Sequence, residues 1–242
     1  MKKITLALIL LVFVMGAAFA QEGGKIPLIG SKAPSFKAKS TEGKIVFPDD
    51  YGSSWKVLFS HPRDFTPVCT SELLEMAYRQ SEFDRLGVKV AVISTDVLSQ
   101  HVMWKAHMEE LDYKNRGQLQ INFPIIDDSD ASVSKEYGML HAPTSTTEDV
   151  RGVFIIDDNN VVCSVNFYPM KVGRNMDEII RVIQALQTTA AADVLTPAGW
   201  NDGDDVLVPY FPYTNAELEA NPDLKKDFYN VGDRLWFKKI GE

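Results

Sequence analysis

The chain has 242 residues, 45% of them hydrophobic, 10% aromatic and 24% charged, with a formal net charge of −8. That is apolar material for one good core plus a smaller lobe, without repeats or low-complexity tracts. The acidic balance, with no basic run to offset it, argues against nucleic acid or an anionic membrane surface as a partner.

Taken in chain order, residues 1–20 read as a targeting segment. Lys2-Lys3 is a short basic start, Ile4 to Met15 is apolar except for Thr5, and Ala18-Phe19-Ala20 fits a small-x-small cleavage site. The stretch is short for a membrane span, so no stable membrane insertion is expected. The expectation is an exported protein beginning at Gln21, in a periplasm or outside the cell.

A glycine-rich lead over residues 21–30 precedes a hairpin from Phe36 to Phe47 around Glu42-Gly43. Trp55–Ser60 is a buried strand, and a helix runs through Leu73, Leu74, Ala77, Phe83 and Leu86 to stop at Gly87. Val88–Ser94 reads as a buried parallel strand. Ser99 caps a helix to about Asp112, Phe123–Ile126 is a short strand, and Ser129 or Asp130 opens a short helix ending near Gly138. Arg151–Asp157 and Val161–Phe167 pair around Asp158-Asn159-Asn160. Asn175 with Glu178 makes a capping box for a helix to about Ala191. This order predicts an α/β, thioredoxin-like domain over residues 21–195. Proline and glycine from Thr196 to Asp205 mark a boundary, and residues 196–242 form a small aromatic lobe with strands at Asp205–Val208 and Arg234–Ile240 and a helix opened by Thr214 and Glu217.

The most informative residue is Cys69. Thr66 reads as an N-cap and Pro67 as the first helical position, which makes Cys69 third. A sulfur there faces unpaired backbone N–H groups and the positive end of the helix dipole, which stabilise a thiolate nucleophile. The alternative is a small buried hydrophobe that happens to be cysteine.

The run His61-Pro62-Arg63-Asp64-Phe65-Thr66-Pro67-Val68-Cys69-Thr70-Ser71-Glu72 resembles the active-site signature of the peroxiredoxins, in the form found in their one-cysteine subfamily. Matches continue at Phe123–Asp128, Arg151–Asp157, Tyr168-Pro169, Gly173-Arg174-Asn175 and Thr196-Pro197-Ala198-x-Trp200. The resemblance implies a thiol-dependent peroxidase for hydrogen peroxide and organic hydroperoxides, with no cofactor or metal. Cys69 would be oxidised to a sulfenic acid and then reduced by an external thiol, or by a thioredoxin- or glutaredoxin-like protein. It also implies that the C-terminal lobe helps to build a homodimer or a larger ring.

On that reading Thr66 hydrogen-bonds the sulfur or the peroxide, or serves as the cap alone. Backbone N–H groups near Val68 and Cys69 polarise the peroxide. Pro62 closes the pocket. Arg151 supplies a guanidinium beside the sulfur, although a lone arginine opening a strand is commonly a solvated strand end. His61 lies near the cysteine in the family, positioning the peroxide or the sulfenate, yet a core or surface histidine needs no function. His101, His107 and His141 have no metal-site spacing.

Two cysteines in an oxidising compartment would suggest a disulfide between Cys69 and Cys163. Val161, Cys163 and Val165 alternate with Val162, Ser164 and Asn166, however, so Cys163 is expected as an inert thiol with the valines on the apolar face of a strand. Two other readings stay open: thiol–disulfide exchange between Cys69 and Cys163, and an exported holdase or interaction module using the aromatic lobe. Some one-cysteine relatives carry a lipase-like Gly-x-Ser-x-Gly. Here Gly52-Ser53-Ser54-Trp55-Lys56 ends in lysine, so the elbow is compromised and Ser54 reads as a turn residue.

Overall fold

The computed structural model describes residues 26–232 and 234–240. The expected export segment, residues 1–20, lies outside the described residues. β1 (Phe36–Ser40) and β2 (Gly43–Phe47) form the expected hairpin, with Phe36 opposite Phe47. The domain continues through β3 (Trp55–Ser60), α1 (Pro67–Tyr78), α2 (Gln80–Arg85), β4 (Val88–Ser94), α3 (Leu98–Glu109), β5 (Ile125–Asp127), α4 (Ser132–Glu136), β6 (Arg151–Ile156), β7 (Val162–Tyr168) and α5 (Met176–Ala191). The seven strands make one sheet in the order β2-β1-β5-β4-β3-β6-β7. β3 runs parallel to β4, which runs parallel to β5, and the remaining pairs are antiparallel. This is the expected thioredoxin-like arrangement.

Side chains alternate along a strand, so the central strands feed two cores. Val57, Phe59, Val90, Val92, Val153 and Ile155 join Cys69, Leu73, Trp104, Met108, Ile179 and Ile183 on the face covered by α1, α3 and α5. Leu58, Ala91, Ile93, Phe154 and Ile156 join Phe36, Phe47, Val133 and Tyr137 on the opposite face. The C-terminal end of β3 thus emerges between two packed layers, and α1 starts there.

Several boundaries differ from the periodicity. The helix expected to run unbroken to Leu86 breaks at Arg79 (φ −90°, ψ 7°), whose guanidinium pairs with Glu82 and Asp177. α3 starts at Leu98, not after Ser99, because Asp127 on the neighbouring strand accepts the Leu98 N–H at 3.1 Å. β5 begins at Ile125 rather than Phe123. α4 begins at Ser132, after Ala131 in a left-handed conformation, with Asp128 accepting the N–H groups of Val133 (3.0 Å) and Ser134 (2.7 Å). These caps come from residues outside the helix pattern. Asn175 does cap α5, accepting from the N–H groups of Asp177 and Glu178.

Cys163 requires a correction. The β6–β7 register shifts between Ile155 and Ile156, so Ser164 faces Ile155 and Val162 faces Ile156. Cys163 is therefore the extra residue of a bulge, and the alternation assumed around it is broken. Val162 points into the core instead, while Cys163 is half-buried with its sulfur 3.5 Å from the Val161 carbonyl oxygen.

Beyond Trp200, which is buried, β8 (Val206–Val208), α6 (Asn215–Ala220), β9 (Phe228–Val231) and β10 (Leu235–Lys238) build a second sheet in the order β8-β10-β9. Thr214 and Glu217 form the expected capping box. Phe211 packs at a tilt on Trp236, with ring centroids 4.5 Å apart, and edge-to-face on Phe228 at 5.5 Å, which accounts for part of the aromatic content of this lobe. The β9 strand has no clear signal in the sequence. Among the described residues no helix is long and apolar enough to cross a membrane.

Candidate active site

Thr66 and Pro67 start α1 where the sequence places the start, and Cys69 is its third residue. The Thr66 hydroxyl does not cap the helix. It donates instead to the Arg63 carbonyl at 2.9 Å, bracing the loop that enters α1. The opening N–H groups of the helix are thereby left without a side-chain acceptor from the cap residue. Phe65, just before, holds a left-handed φ of 56°, an uncommon conformation for a bulky residue.

Cys69 is fully buried, and one of its neighbours is charged. Nη1 of Arg151 lies 3.2 Å from the Cys69 sulfur. Arg151 opens β6 and is itself buried, not a solvated strand end. Its Nε and Nη2 both donate to the Met170 carbonyl, at 2.8 and 2.6 Å, which fixes the plane of the guanidinium. The same Nη1 donates to Oε2 of Glu72 at 2.7 Å.

Glu72 is one turn further along α1 and is held by a second arginine. Arg174 gives it three hydrogen bonds: its backbone N–H (2.7 Å) and Nε (3.0 Å) reach Oε1, and Nη2 (2.8 Å) reaches Oε2. The Nη1 of Arg174 donates to the carbonyls of Ser60 and Gly152, and its guanidinium lies over the Phe59 ring. Burial raises the cost of charging Glu72, but the Arg174 and Arg151 charges outweigh it and hold the carboxyl below the usual range. The site therefore contains two buried cations, one buried anion and a sulfur. A thiolate at Cys69 would balance the second cation.

A cleft of about 330 Å³ opens beside Arg151, with Pro62, Thr66, Val68 and Met170 also in its wall. Arg63 and Glu148, an ion pair, also line it. Pro62, Thr66, Val68 and Arg151, singled out in the sequence, thus share one cleft, and Arg151 connects it to the buried sulfur. His61 is fully buried and does not line this cleft: its Nε2 bonds Asp64 at 2.8 Å. Glu72, Arg174 and the Met170 carbonyl had no role assigned from the sequence, although Glu72 and Arg174 stand inside the quoted motifs. The missing signal is their mutual distance, which spans more than 100 residues of chain.

Cys69 and Cys163 are both free. Arg151, next to the Cys69 sulfur, pairs with Tyr168 at one end of the β6–β7 hairpin, whereas Cys163 lies in the bulge at the other. At about 3.3 Å per residue this separates them by more than a disulfide spans. Burial and the Asp157 carboxylate push the Cys163 thiol up. Ser54 sits in a turn leading into a strand, not on the strand-to-helix elbow of a lipase, and the Lys56 ammonium is spent on the carbonyls of Gly52 and Asp157 and on Asn160. His61, Asp64 and Asp96 bring donor atoms within 4.8 Å of one another, yet His61 and His101 engage both oxygens of Asp64, and Asp96 Oδ2 accepts from Ser94 and from the Asp64 N–H.

Comparison with known proteins agrees with this geometry. Residues 29–165 match the AhpC/TSA family, and residues 185–214 match the C-terminal domain of 1-Cys peroxiredoxin. A peroxiredoxin of Methanosarcina mazei is 47% identical over 185 residues, covering 76% of this chain and 84% of its own. One from Thermotoga petrophila is 41% identical over 222 residues, covering 90% and 99%. Among solved structures, a cysteine-to-serine mutant of peroxiredoxin 6 of Arenicola marina superposes with a TM-score of 0.77 at 33% identity, covering 89% of this chain and 99% of the other. A yeast mitochondrial 1-Cys peroxiredoxin gives 0.75 at 37%, covering 88% and 100%. The chain belongs to the peroxiredoxins, the family of thiol-dependent peroxidases.

Proposed function

We propose that Cys69 is the peroxidatic cysteine and that Arg151, Thr66, Pro62 and the first N–H groups of α1 are its catalytic surroundings. The observation that carries this is the single Nη1 of Arg151 shared between the Cys69 sulfur and Glu72. The thiolate attacks the terminal oxygen of a hydroperoxide entering the cleft, and the O–O bond breaks. The sulfur leaves as a sulfenic acid, and the departing alkoxide takes a proton to become an alcohol, or water when the substrate is hydrogen peroxide. The Arg151 guanidinium stabilises the charge that moves onto the leaving oxygen, in a site already ordered before substrate arrives. Free N–H groups at Val68 and Cys69 supply further donors, supported by the diversion of the Thr66 hydroxyl to Arg63. Pro62 keeps water from the sulfur.

An external thiol then attacks the sulfenic sulfur, releasing water, and a second thiol attacks the external sulfur of the resulting mixed disulfide, forming a disulfide between the two reductant thiols and releasing Cys69 as the thiolate. The half-buried Cys163, far along the hairpin, supports an outside reductant over an internal one. The yeast relative is described as resolved by glutathione and thioredoxin systems, and a reductant of that class suits this chain. The aromatic C-terminal lobe supports a homodimer, and residues 1–20 support export to a periplasm or beyond.

The purified protein should consume hydrogen peroxide with dithiothreitol, and Cys69→Ser should reduce this to background. Intact mass after one equivalent of peroxide should show one added oxygen on Cys69. Undiminished turnover by Cys69→Ser, or a loss of two hydrogens in place of the oxygen, would sink the assignment. Cys163→Ser should turn over at the wild-type rate.

A further inference from the structure

The cleft that leads to Arg151 is roomier than hydrogen peroxide requires. At about 330 Å³ it falls among the ~300–1,000 Å³ sites that take small organic molecules, and Pro62, Pro67, Val68 and Met170 give it apolar wall. Its charged lining is uneven: three cations, Arg63, Arg151 and Lys171, stand against one carboxylate, Glu148. Glu148 is paired with Arg63, and Arg151 is paired with Glu72. Lys171 is exposed and has no carboxylate partner among the described residues.

The backbone under Lys171 is fixed relative to the reacting sulfur. The carbonyl of Met170, the residue before it, accepts both Nε and Nη2 of Arg151, whose Nη1 lies 3.2 Å from the Cys69 sulfur. On the other side, the Val172 N–H donates to the Pro169 carbonyl at 3.0 Å and closes a turn. Arg174 then ties the chain to Glu72. The ion pair beside Lys171 is anchored too: the Arg63 carbonyl accepts the Thr66 hydroxyl, and the Glu148 N–H donates to Ser145 Oγ at 2.9 Å. The whole chain carries a net charge of −8 and so repels anions, and an unpaired ammonium at the cleft reverses that locally.

We propose that Lys171 is a specificity-determining residue: its ammonium takes the carboxylate of a small organic reactant whose apolar body lies against Pro67, Val68 and Met170 and whose reactive end reaches Cys69. Glu148, by neutralising Arg63, leaves that task to Lys171. Two reactants must come to this sulfur, a hydroperoxide that oxidises it and a thiol that reduces the sulfenic acid. Either one, bearing a carboxylate, presents the same chemistry to Lys171. The assignment rests on peroxide reduction at Cys69.

Stopped flow tests both arms. Cys69 oxidation is followed with cumene hydroperoxide and with its para-carboxylate derivative, and reduction of the sulfenic acid with mercaptoethanol and with mercaptopropionate. In each pair the readout is the ratio of the anionic rate to the neutral rate, so a general loss of activity cancels. In Lys171→Gln the ratio should fall about threefold, the order of one partly exposed ion pair, and in Lys171→Arg it should hold. Glu148→Gln, which frees Arg63, should raise it. The wild-type ratio should also fall as salt rises from about 0.01 to about 1 M. A fall in the hydroperoxide pair identifies the oxidant as the carboxylate-bearing ligand, and a fall in the thiol pair identifies the reductant. Ratios that ignore Lys171→Gln in both pairs, that ignore salt, or that fall equally in Lys171→Arg refute the assignment. If neither hydroperoxide adds oxygen to wild-type Cys69, the peroxidase reading itself fails and the role of Lys171 with it. If both do and the ratios ignore Lys171, only the role of Lys171 fails.

Discussion

Arg151 and Glu72 lie 2.7 Å apart with both side chains almost fully buried, and the guanidinium nitrogen that joins them is also the one 3.2 Å from the Cys69 sulfur. Glu72 therefore aims the cation at the sulfur, and Arg174, bonded to the same carboxylate, aims Glu72. Removing one member of a buried charge network leaves the others uncompensated, which costs far more than an exposed pair.

Glu72→Gln tests this hierarchy. The amide preserves shape but leaves Arg151 and Arg174 without their buried anion, so we expect a loss of about 3–5 kcal/mol in denaturant unfolding. Peroxide turnover should fall at least about tenfold, because Arg151 no longer has a fixed aim. In the wild type, the Glu72 carboxyl is held below its unfolded value, so its contribution is present above about pH 4.5 and lost as pH falls further. The variant should lack that acid-side loss.

Asp149 makes an opposite pH prediction. It is fully buried, neither carboxyl oxygen has a hydrogen-bond partner among the described residues, and the hydroxyl of nearby Ser134 is committed to Asp128. Burial, with the Asp128 and Asp96 carboxylates, pushes Asp149 up to about 8. An unfolded aspartate loses its proton near pH 4, so between about pH 4 and pH 8 the folded chain binds one proton more. Stability from this group falls as pH rises through that window, by up to about 1.4 kcal/mol per pH unit. Asp149→Asn, a mimic of the protonated acid, should flatten the slope and raise the melting temperature at pH 7.5 but not at pH 4.5. Parallel thermal melts across that range decide it, and an unchanged slope would refute the protonated assignment.

Gly152 follows Arg151 in β6 where the backbone passes close to β3. A Cβ there would come within 2.9 Å of Ser60 Oγ and 3.1–3.2 Å of the Phe154 and Phe167 rings. Ser60 Oγ accepts the Gly152 N–H at 2.8 Å and donates to the Val150 carbonyl at 2.6 Å, stitching the start of β6 to the end of β3. Gly152→Ala should cost about 1–3 kcal/mol by overpacking and slow peroxide reduction by shifting Arg151. Wild-type stability and rate together would exclude this close packing.

The element order was legible in the chain because it follows from local chemistry. Alternating and continuous apolar runs specify the strands, and Thr66-Pro67 places Cys69 in the first turn of a helix without reference to any distant residue. The same local reasoning misplaced Cys163, since a bulge is created by the register against β6 and leaves no mark on β7 alone. It also missed the caps that Asp127 and Asp128 supply to α3 and α4. The charge partners of the sulfur belong to this second kind. Arg151 is 82 residues from Cys69, and Arg174 is 102 from Glu72. What brings them together is the pairing of β3 with β6, Phe59 opposite Val153, and the return of the chain into α5. Sequence alone determined that a cysteine sulfur would stand at a helix start. Only the sheet register decided which cation it meets and which carboxylate aims that cation, because long-range contacts are selected by packing the whole core and not by any local preference.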